Sequence, residues 1–403
     1  MMREECIPFL YDHHAHVSGF SAYLDFPDLS NVRSKDVAIY QIKKKCAKKE
    51  LNVVEGWNDS YYSLSQTDLR KLPPVIIWNV SGHGILFNKK AEELLEKKFR
   101  DEELIENLDS PEWVEKNLLK ITKLMIEIGG IDENKIKNTY RYLTERGIYK
   151  VEDMLVNSQE TINIIKDLGL DERTDFWADL NTFKELSDEI RDEIKGIKLF
   201  VDGAIGTKTA YLKKGYNEGG HGTLTREKDD LIRVLKEICK KKAAVHAIGD
   251  GAIEVVVGSL ETLLEKGYEI PSVRIEHAQF INEKIAKKAK EIGITLCMQP
   301  NFSVDSNNYS DRLSEKYLKM NNPFRMLIDD IGFKPGEDLI FGSDGMPYRA
   351  EAALKYSLFP PYESQKLTLD EFIEGYCISG KDPGHIEVEI DEEEEEISVS
   401  PVR

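Results

Sequence analysis

From Gly147 onward, short β-rich runs alternate with charged stretches of helical period. The runs are "YKVEDM" (149–154), "TDFWADL" (174–180), "GIKLFVD" (196–202), "AAVHAI" (243–248), "SVRIEHA" (272–278), "GITLCMQ" (293–299) and "DLIFGSD" (338–344). This is the pattern of parallel βα units. Between them, stretches such as "EKDDLIRVLKEICKKK" and "NEKIAKKAKEIG" repeat apolar residues at three and four, which predicts amphipathic helices packed on the sheet. An earlier run, about residues 7 to 16 in "IPFLYDHHAH", supplies an eighth strand. Eight strands with helices between them, and no Gly-rich dinucleotide loop after the first, predict an α/β fold of the (β/α)8 TIM barrel type rather than a doubly wound sheet.

The stretch 20–146 is too long for one crossover between the first two strands. It carries strand-like runs of its own, "LNVVEGW" and "PVIIWNVSG", followed by helical patterns from Lys89 to Glu145. A barrel over 7–380 interrupted by an insertion subdomain at 20–146 is therefore expected, and α/β barrels tolerate long loops of this kind. The tail 381–403 alternates Ile386, Val388 and Ile390, then Ile397 and Val399, around an acidic stretch. A two-stranded ribbon and a disordered tail are both open readings of it.

Composition narrows the partners. The formal net charge is −18, and eight of the ten residues from Glu387 to Glu396 are acidic, yet the rest of the chain is acidic too. Nucleic acid needs a basic face that this balance does not suggest, so no nucleic-acid partner is expected. No stretch is apolar for long enough to cross a bilayer, and "MMREECIPFLY" lacks the long apolar segment of a secretory signal. A cytoplasmic chain with no membrane partner is the expectation, with a homo-oligomer possible. The five cysteines, Cys6, Cys46, Cys239, Cys297 and Cys377, show no CxxC or CxH spacing, which argues for reduced, mostly buried thiols.

The stretch "LYDHHAHVSG" holds three of the eight histidines. On a strand, His14 and His16 point to the same side, and two imidazoles converging from one strand can share a metal ion. Lys198 lies inside "GIKLFVD", His246 in "AAVHAI", His277 in "RIEHAQ" and Asp344 in "FGSDG", each on or at the carboxyl end of a predicted strand. In a barrel that is the face where active sites assemble. Any one of these is explained as a satisfied core or turn residue, although a lone ammonium in an apolar strand is costly. One ionisable group per strand end, from strands one, four, five, six and eight, is not explained that way. Asp202, and Gln299 and Asn301 after strand seven, stand where they could shape the mouth and touch substrate. Asp12 is expected to support the ligands from behind, whereas His13, His221 and His385 are expected outside the site.

The ordered motifs "DHHAH", "IKLFVDGAIGT", "VHAIGDGA", "RIEHAQ" and "FGSDGMPY" resemble the amidohydrolase superfamily, in particular the amidohydrolase family 3 branch that includes N-substituted formamide deformylases. The likeness extends over about residues 10 to 380. It implies a metal-dependent hydrolase that cleaves a non-peptide carbon–nitrogen bond of a small-molecule substrate, an amide or N-substituted formamide, with a metal-activated hydroxide. His14, His16 and Asp344 would hold one zinc ion, and His246 and His277 a second. Lys198, carried as N6-carboxylysine, would bridge the two. Asp344 would also be the catalytic base and acid, taking a proton from water and passing it to the leaving amine. His83 in "SGHGILFN" matches a histidine of that branch's insertion and would line the substrate pocket. Such relatives carry a β-sandwich built from both ends of the chain. Fewer than a dozen residues precede "DHHAH" here, so the sandwich is expected to be absent or vestigial. Two other readings stand beside the hydrolase: a mononuclear metal-dependent deaminase, and a degenerate barrel acting as a non-catalytic binding protein.

Overall fold

A computed structural model describes residues 2–46, 51–80, 84–99, 106–107, 110–238, 240–380 and 383–402. Its strands, in chain order, are β1 (Met2–Pro8), β2 (Leu10–Ala15), β3 (Asn52–Trp57), β4 (Val75–Asn79), β5 (Ile85–Phe87), β6 (Ile148–Asp153) and β7 (Thr174–Asp179). They continue with β8 (Ile194–Phe200), β9 (Lys242–Ala247), β10 (Val273–His277), β11 (Thr295–Met298), β12 (Leu339–Phe341), β13 (His385–Asp391) and β14 (Glu396–Val402). Among the described residues, no helix is long and apolar enough to cross a membrane.

Eight of these strands form one sheet in the order β12-β11-β10-β9-β8-β7-β6-β2, with every ladder parallel. Each strand pairs with its predecessor in the barrel, as successive βα units require, which gives the (β/α)8 barrel. The ends of the sheet meet where the Asp344 N–H donates to the His14 carbonyl (2.8 Å) and the Ser343 N–H to the Asp12 carboxylate (2.8 Å). That approach needs Gly342, because a Cβ there would sit 2.4 Å from the His14 nitrogen.

The first expected strand, 7 to 16, is in fact two. β1 ends at Pro8, β2 starts at Leu10, and the two enter different sheets. Proline lacks the N–H that a continuing ladder would use, so the chain changes partners there. β1 pairs antiparallel with β13, and β13 with β14, so the tail is an ordered ribbon whose acidic residues form its turn. Ile7, Ile386, Val388, Ile390 and Ile397 are buried on one face of this three-stranded sheet. The structure drawn from the two chain ends is thus a single small sheet.

The chain divides into two compact units. One comprises Met1–Ser21, Asp132–Gly203 and Ala210–Arg403, and the other Ala22–Ile131 and Ala204–Thr209. Helix Glu133–Thr144, read as part of the insertion from its pattern, groups with the barrel. In the second unit β3 pairs parallel with β4, and β4 antiparallel with β5. Alternation along β4 sends Val75 and Ile77 into one apolar cluster, with Val54, Ala38 and Ile42. Ile76 and Trp78 enter another, with Val53, Leu95 and Ile121. This sheet is therefore covered on both faces.

Candidate metal centre

The site residues stand at the points where barrel strands give way to loops. His14 is the penultimate residue of the six-residue strand β2, while His16 lies just past its end and its carbonyl accepts the Phe20 N–H (2.8 Å) at the start of helix Val17–Tyr23. Lys198 lies within β8, His246 within β9, and His277 closes β10. Asp344 follows β12. His277, Ala278 and Asp344 have φ of +70°, +47° and +56°. Left-handed backbone at such residues costs about 1–3 kcal/mol each and persists only where the surroundings hold it. Here the Ala278 N–H is held by the Ala247 carbonyl (3.1 Å) and the Asp344 N–H by that of His14.

These turns bring six side chains together. His14 Nε2 is 3.4 Å from Lys198 Nζ and 3.5 Å from Asp344 Oδ1, and His16 Nε2 is 3.1 Å from the same carboxylate oxygen. Ligand atoms of His14, His16 and Asp344 all lie within 4.8 Å of one another. The His14 and His277 rings are 4.8 Å apart, and those of His277 and His246 4.5 Å. His14, Lys198, His246 and His277 are buried, whereas the His16 and Asp344 side chains keep 33% and 18% exposure. The cluster is therefore accessible from the side of His16 and Asp344.

Electrostatics prepare these groups for a cation. Burial, reinforced by Lys198, holds the His14 imidazole well below its ordinary pKa, and burial with His14 and Lys198 does the same for His277. Both rings are neutral near pH 7, the form that ligates metals. Burial brings Lys198 down to about 8 against the opposing pull of Glu276 and Asp344. Roughly a tenth of its amine is unprotonated at pH 7 on that value. Burial pushes Asp344 up, but His14, His16 and Lys198 outweigh it and hold the carboxyl at about 2. Neutral imidazoles around an ionised carboxylate are the donor set of zinc and similar divalent ions, so these residues fit such an ion.

The remaining expected residues have partners inside the protein. Asp202 accepts the N–H groups of Tyr211 (2.9 Å), Ile248 (3.0 Å) and Gly249 (2.8 Å), and stands 3.5 Å from His246 Nε2. Gln299 Oε1 is 2.7 Å from His277 Nδ1, and Asn301 donates to the Ser343 (3.0 Å) and Met346 (2.7 Å) carbonyls beside Asp344. All three are buried, and these bonds brace neighbouring loops and the His277 ring. Polar side chains at strand ends find backbone partners because buried N–H and C=O groups must be satisfied. Asp12 accepts the His14 (3.1 Å) and Ser343 N–H groups, tying the first strand to the last. His13 bonds Glu152 (2.9 Å), His221 the Leu212 carbonyl (2.8 Å), and His385 sits in the terminal sheet. His83 lies outside the described residues.

Sequence reasoning missed Tyr348, whose hydroxyl accepts the His16 N–H (2.7 Å), and Glu276, whose carboxylate accepts from His14 Nδ1. A signal for Glu276 was present. "RIEHAQ" sets two charged residues in an apolar strand, as surprising there as Lys198.

A parallel eight-stranded barrel with divalent-metal donors at the carboxyl ends of its strands is the arrangement of a metal-dependent barrel enzyme. A family model described as the Amidohydrolase family matches residues 6–350, and the chain belongs to that family. It is 32% identical over 141 residues to the provisionally named amidohydrolase YtcJ of Bacillus subtilis (strain 168), a match covering 34% of this chain and 26% of that one. The matched stretch thus spans about a quarter of the length of the curated relatives. Two solved structures share the fold. An uncharacterized metal-dependent hydrolase from Pyrococcus furiosus has a TM-score of 0.66 at 20% identity, over 99% of this chain and 88% of that one. Another from Pyrococcus horikoshii OT3 has a TM-score of 0.63 at 22% identity, over 88% and 74%.

Proposed function

We propose that the protein is a metal-dependent hydrolase that cleaves a non-peptide carbon–nitrogen bond in a small molecule, of the amide or N-substituted formamide type. The observation that carries this reading is the convergence of His14, His16 and Asp344 beside a buried Lys198 at the carboxyl end of the barrel. His14, His16 and Asp344 would hold one divalent ion, with zinc favoured by the donors, and His246 and His277 a second. His246 Nε2 faces the Gly203 carbonyl (3.2 Å), so its ligating atom would be Nδ1. Lys198 would stand between them as N6-carboxylysine. Its ammonium would first lose a proton; the neutral amine would then add to carbon dioxide, the N–C bond forming as one C=O π bond opens and a second proton leaves, so that a cation would become an anion with two donor oxygens. When bound, the metal polarises the scissile carbonyl and lowers the pKa of water.

The chain's own groups manage the proton. Asp344, held ionised at about 2, accepts a proton from the attacking water and delivers it to the leaving nitrogen. His16 Nε2, 3.1 Å from Asp344 Oδ1, orients that carboxylate. Gln299 steadies the His277 ring, and substrate enters on the less buried side, past His16 and Asp344. The test is metal content by elemental mass spectrometry after growth with zinc and bicarbonate, paired with turnover of N-formyl and N-acyl amines with and without chelator. About two ions per chain and chelator-sensitive release of amine are expected. One ion, unaffected by substitution of Lys198, would favour a mononuclear deaminase, and no ion after reconstitution would overturn the reading.

A further inference from the structure

Below the ligand cluster the barrel interior is charged. Arg274 and Glu276, two residues apart on β10, are 7% and 0% exposed. Glu276 accepts from His14 Nδ1 on one oxygen and from Arg274 Nε on the other. The same guanidinium donates to Glu152 of β6 (2.9 Å) and to the His13 carbonyl of β2 (3.0 Å). Glu152 also takes Trp177 Nε1 (2.6 Å), Lys195 Nζ (2.8 Å) and His13 Nδ1 (2.9 Å). An unbroken run of bonds therefore links His14, Glu276, Arg274, Glu152 and Lys195 across four strands. Barrel interiors are ordinarily filled by Val, Ile and Leu, and buried charges are tolerated only with complete partners.

His14, Glu276 and Cys297 also present ligand atoms within 4.8 Å of one another, which raises the question of a second metal site. Arg274 answers it. Its guanidinium bonds one Glu276 oxygen and His14 Nδ1 the other, so both carboxylate oxygens are already engaged within the protein. Through these bonds Glu276 supports His14. A carboxylate engaged by a guanidinium on one oxygen is an acceptor on the other, so a neutral ring facing it carries its proton on Nδ1 and turns a lone pair on Nε2 outward. His14 Nε2 is the atom that faces Lys198 and Asp344.

Resting on the metal-centre reading above, we infer that Glu276, clamped by Arg274, is the positioning residue that fixes the tautomer and rotation of His14 for the metal. The first readout uses metal-free wild-type protein with 15N-labelled histidine. NMR is expected to find the His14 proton on Nδ1, and a proton on Nε2 would overturn the inference. The second is zinc affinity by competition with a chromophoric chelator. Glu276→Leu, which removes the acceptor, should weaken zinc binding on the order of 10–100-fold. Glu276→Gln, isosteric and still an acceptor, should fall between it and wild type. Wild-type zinc affinity in folded Glu276→Leu protein would overturn the inference, and a fall in melting temperature with affinity intact would assign the pair to stability alone. Wild-type protein that takes up no zinc would sink the metal-centre reading, while the tautomer measurement would still decide this one.

Discussion

The sheet of the inserted unit is walled by aliphatic and aromatic side chains, with Val75 and Ile77 on one face and Ile76 and Trp78 on the other, whereas the barrel interior holds Glu152, Lys198, Arg274 and Glu276. Both interiors are buried, but the side chains in them do different work. The apolar core is non-directional, so its contribution depends on area and fit. The charged one is directional. Each member constrains the next, and the chain of constraint ends on a candidate metal ligand. Removing one carbon from the first is a local loss, and removing one charge from the second leaves a buried partner without its counter-charge.

The largest expected effect lies at the upper end of the charged interior. Asp344→Asn should retain metal and lose on the order of 10²–10⁴-fold in turnover of whichever substrate works, since the amide cannot carry the proton. Full activity with metal bound would remove Asp344 as the shuttle. Next comes Arg274→Met, which leaves Glu152 and Glu276 buried without their guanidinium and should destabilise the folded protein by about 3–5 kcal/mol. Chemical denaturation measures it. A loss within the range of an ordinary surface substitution would mean that the barrel charges are better solvated than their burial indicates, and the contrast between the two interiors would fail.

The barrel was legible because strands buried on both faces read as short apolar runs, and the polar residues at their ends are conspicuous against that background. His14, His16, Lys198, His246, His277 and Asp344 stand out by that contrast, and the fold brings their side chains together. Partnerships were not legible. Arg274 and Glu276 stand in the same kind of run as Lys198, but Glu152 and His14 are more than a hundred residues away in sequence, and no local pattern pairs them. The same holds for β1, whose partner β13 lies at the far end of the chain. Asp202, Gln299 and Asn301 occupy the expected strand ends, yet position alone does not say whether a polar group faces a cavity or the backbone of the next loop.

A smaller and differently shaped effect is expected in the apolar interior. Ile76→Ala or Leu95→Ala, at fully buried positions of one cluster, should cost about 2–5 kcal/mol through lost burial and the cavity left behind. Zinc affinity and the His14 tautomer should be unchanged in either variant, because no hydrogen-bonded chain leads from these side chains. The two interiors would then separate cleanly: Arg274→Met moves stability and metal affinity together, and Ile76→Ala moves stability alone. A drop in metal affinity in Ile76→Ala would erase the distinction.

The smallest signal is the pH dependence carried by Lys198. Burial lowers its folded-state pKa to about 8 from the ordinary 10.5, so between those values the unfolded chain binds a proton that the folded chain does not. Stability therefore rises with pH across that window, at most by about 1.4 kcal/mol per pH unit for one proton, and is independent of this group below it. The measurement is denaturant unfolding of metal-free protein in carbon-dioxide-free buffer from pH 7 to 10.5, with Lys198→Met as the control. The control should be more stable than wild type at pH 7, where it has no buried ammonium to desolvate, and the difference should shrink as the pH rises. An unchanged difference across the window would show that Lys198 keeps its proton in the folded state. The amine would then be unavailable to carbon dioxide in the metal-free protein at neutral pH, and carboxylation would have to follow metal binding.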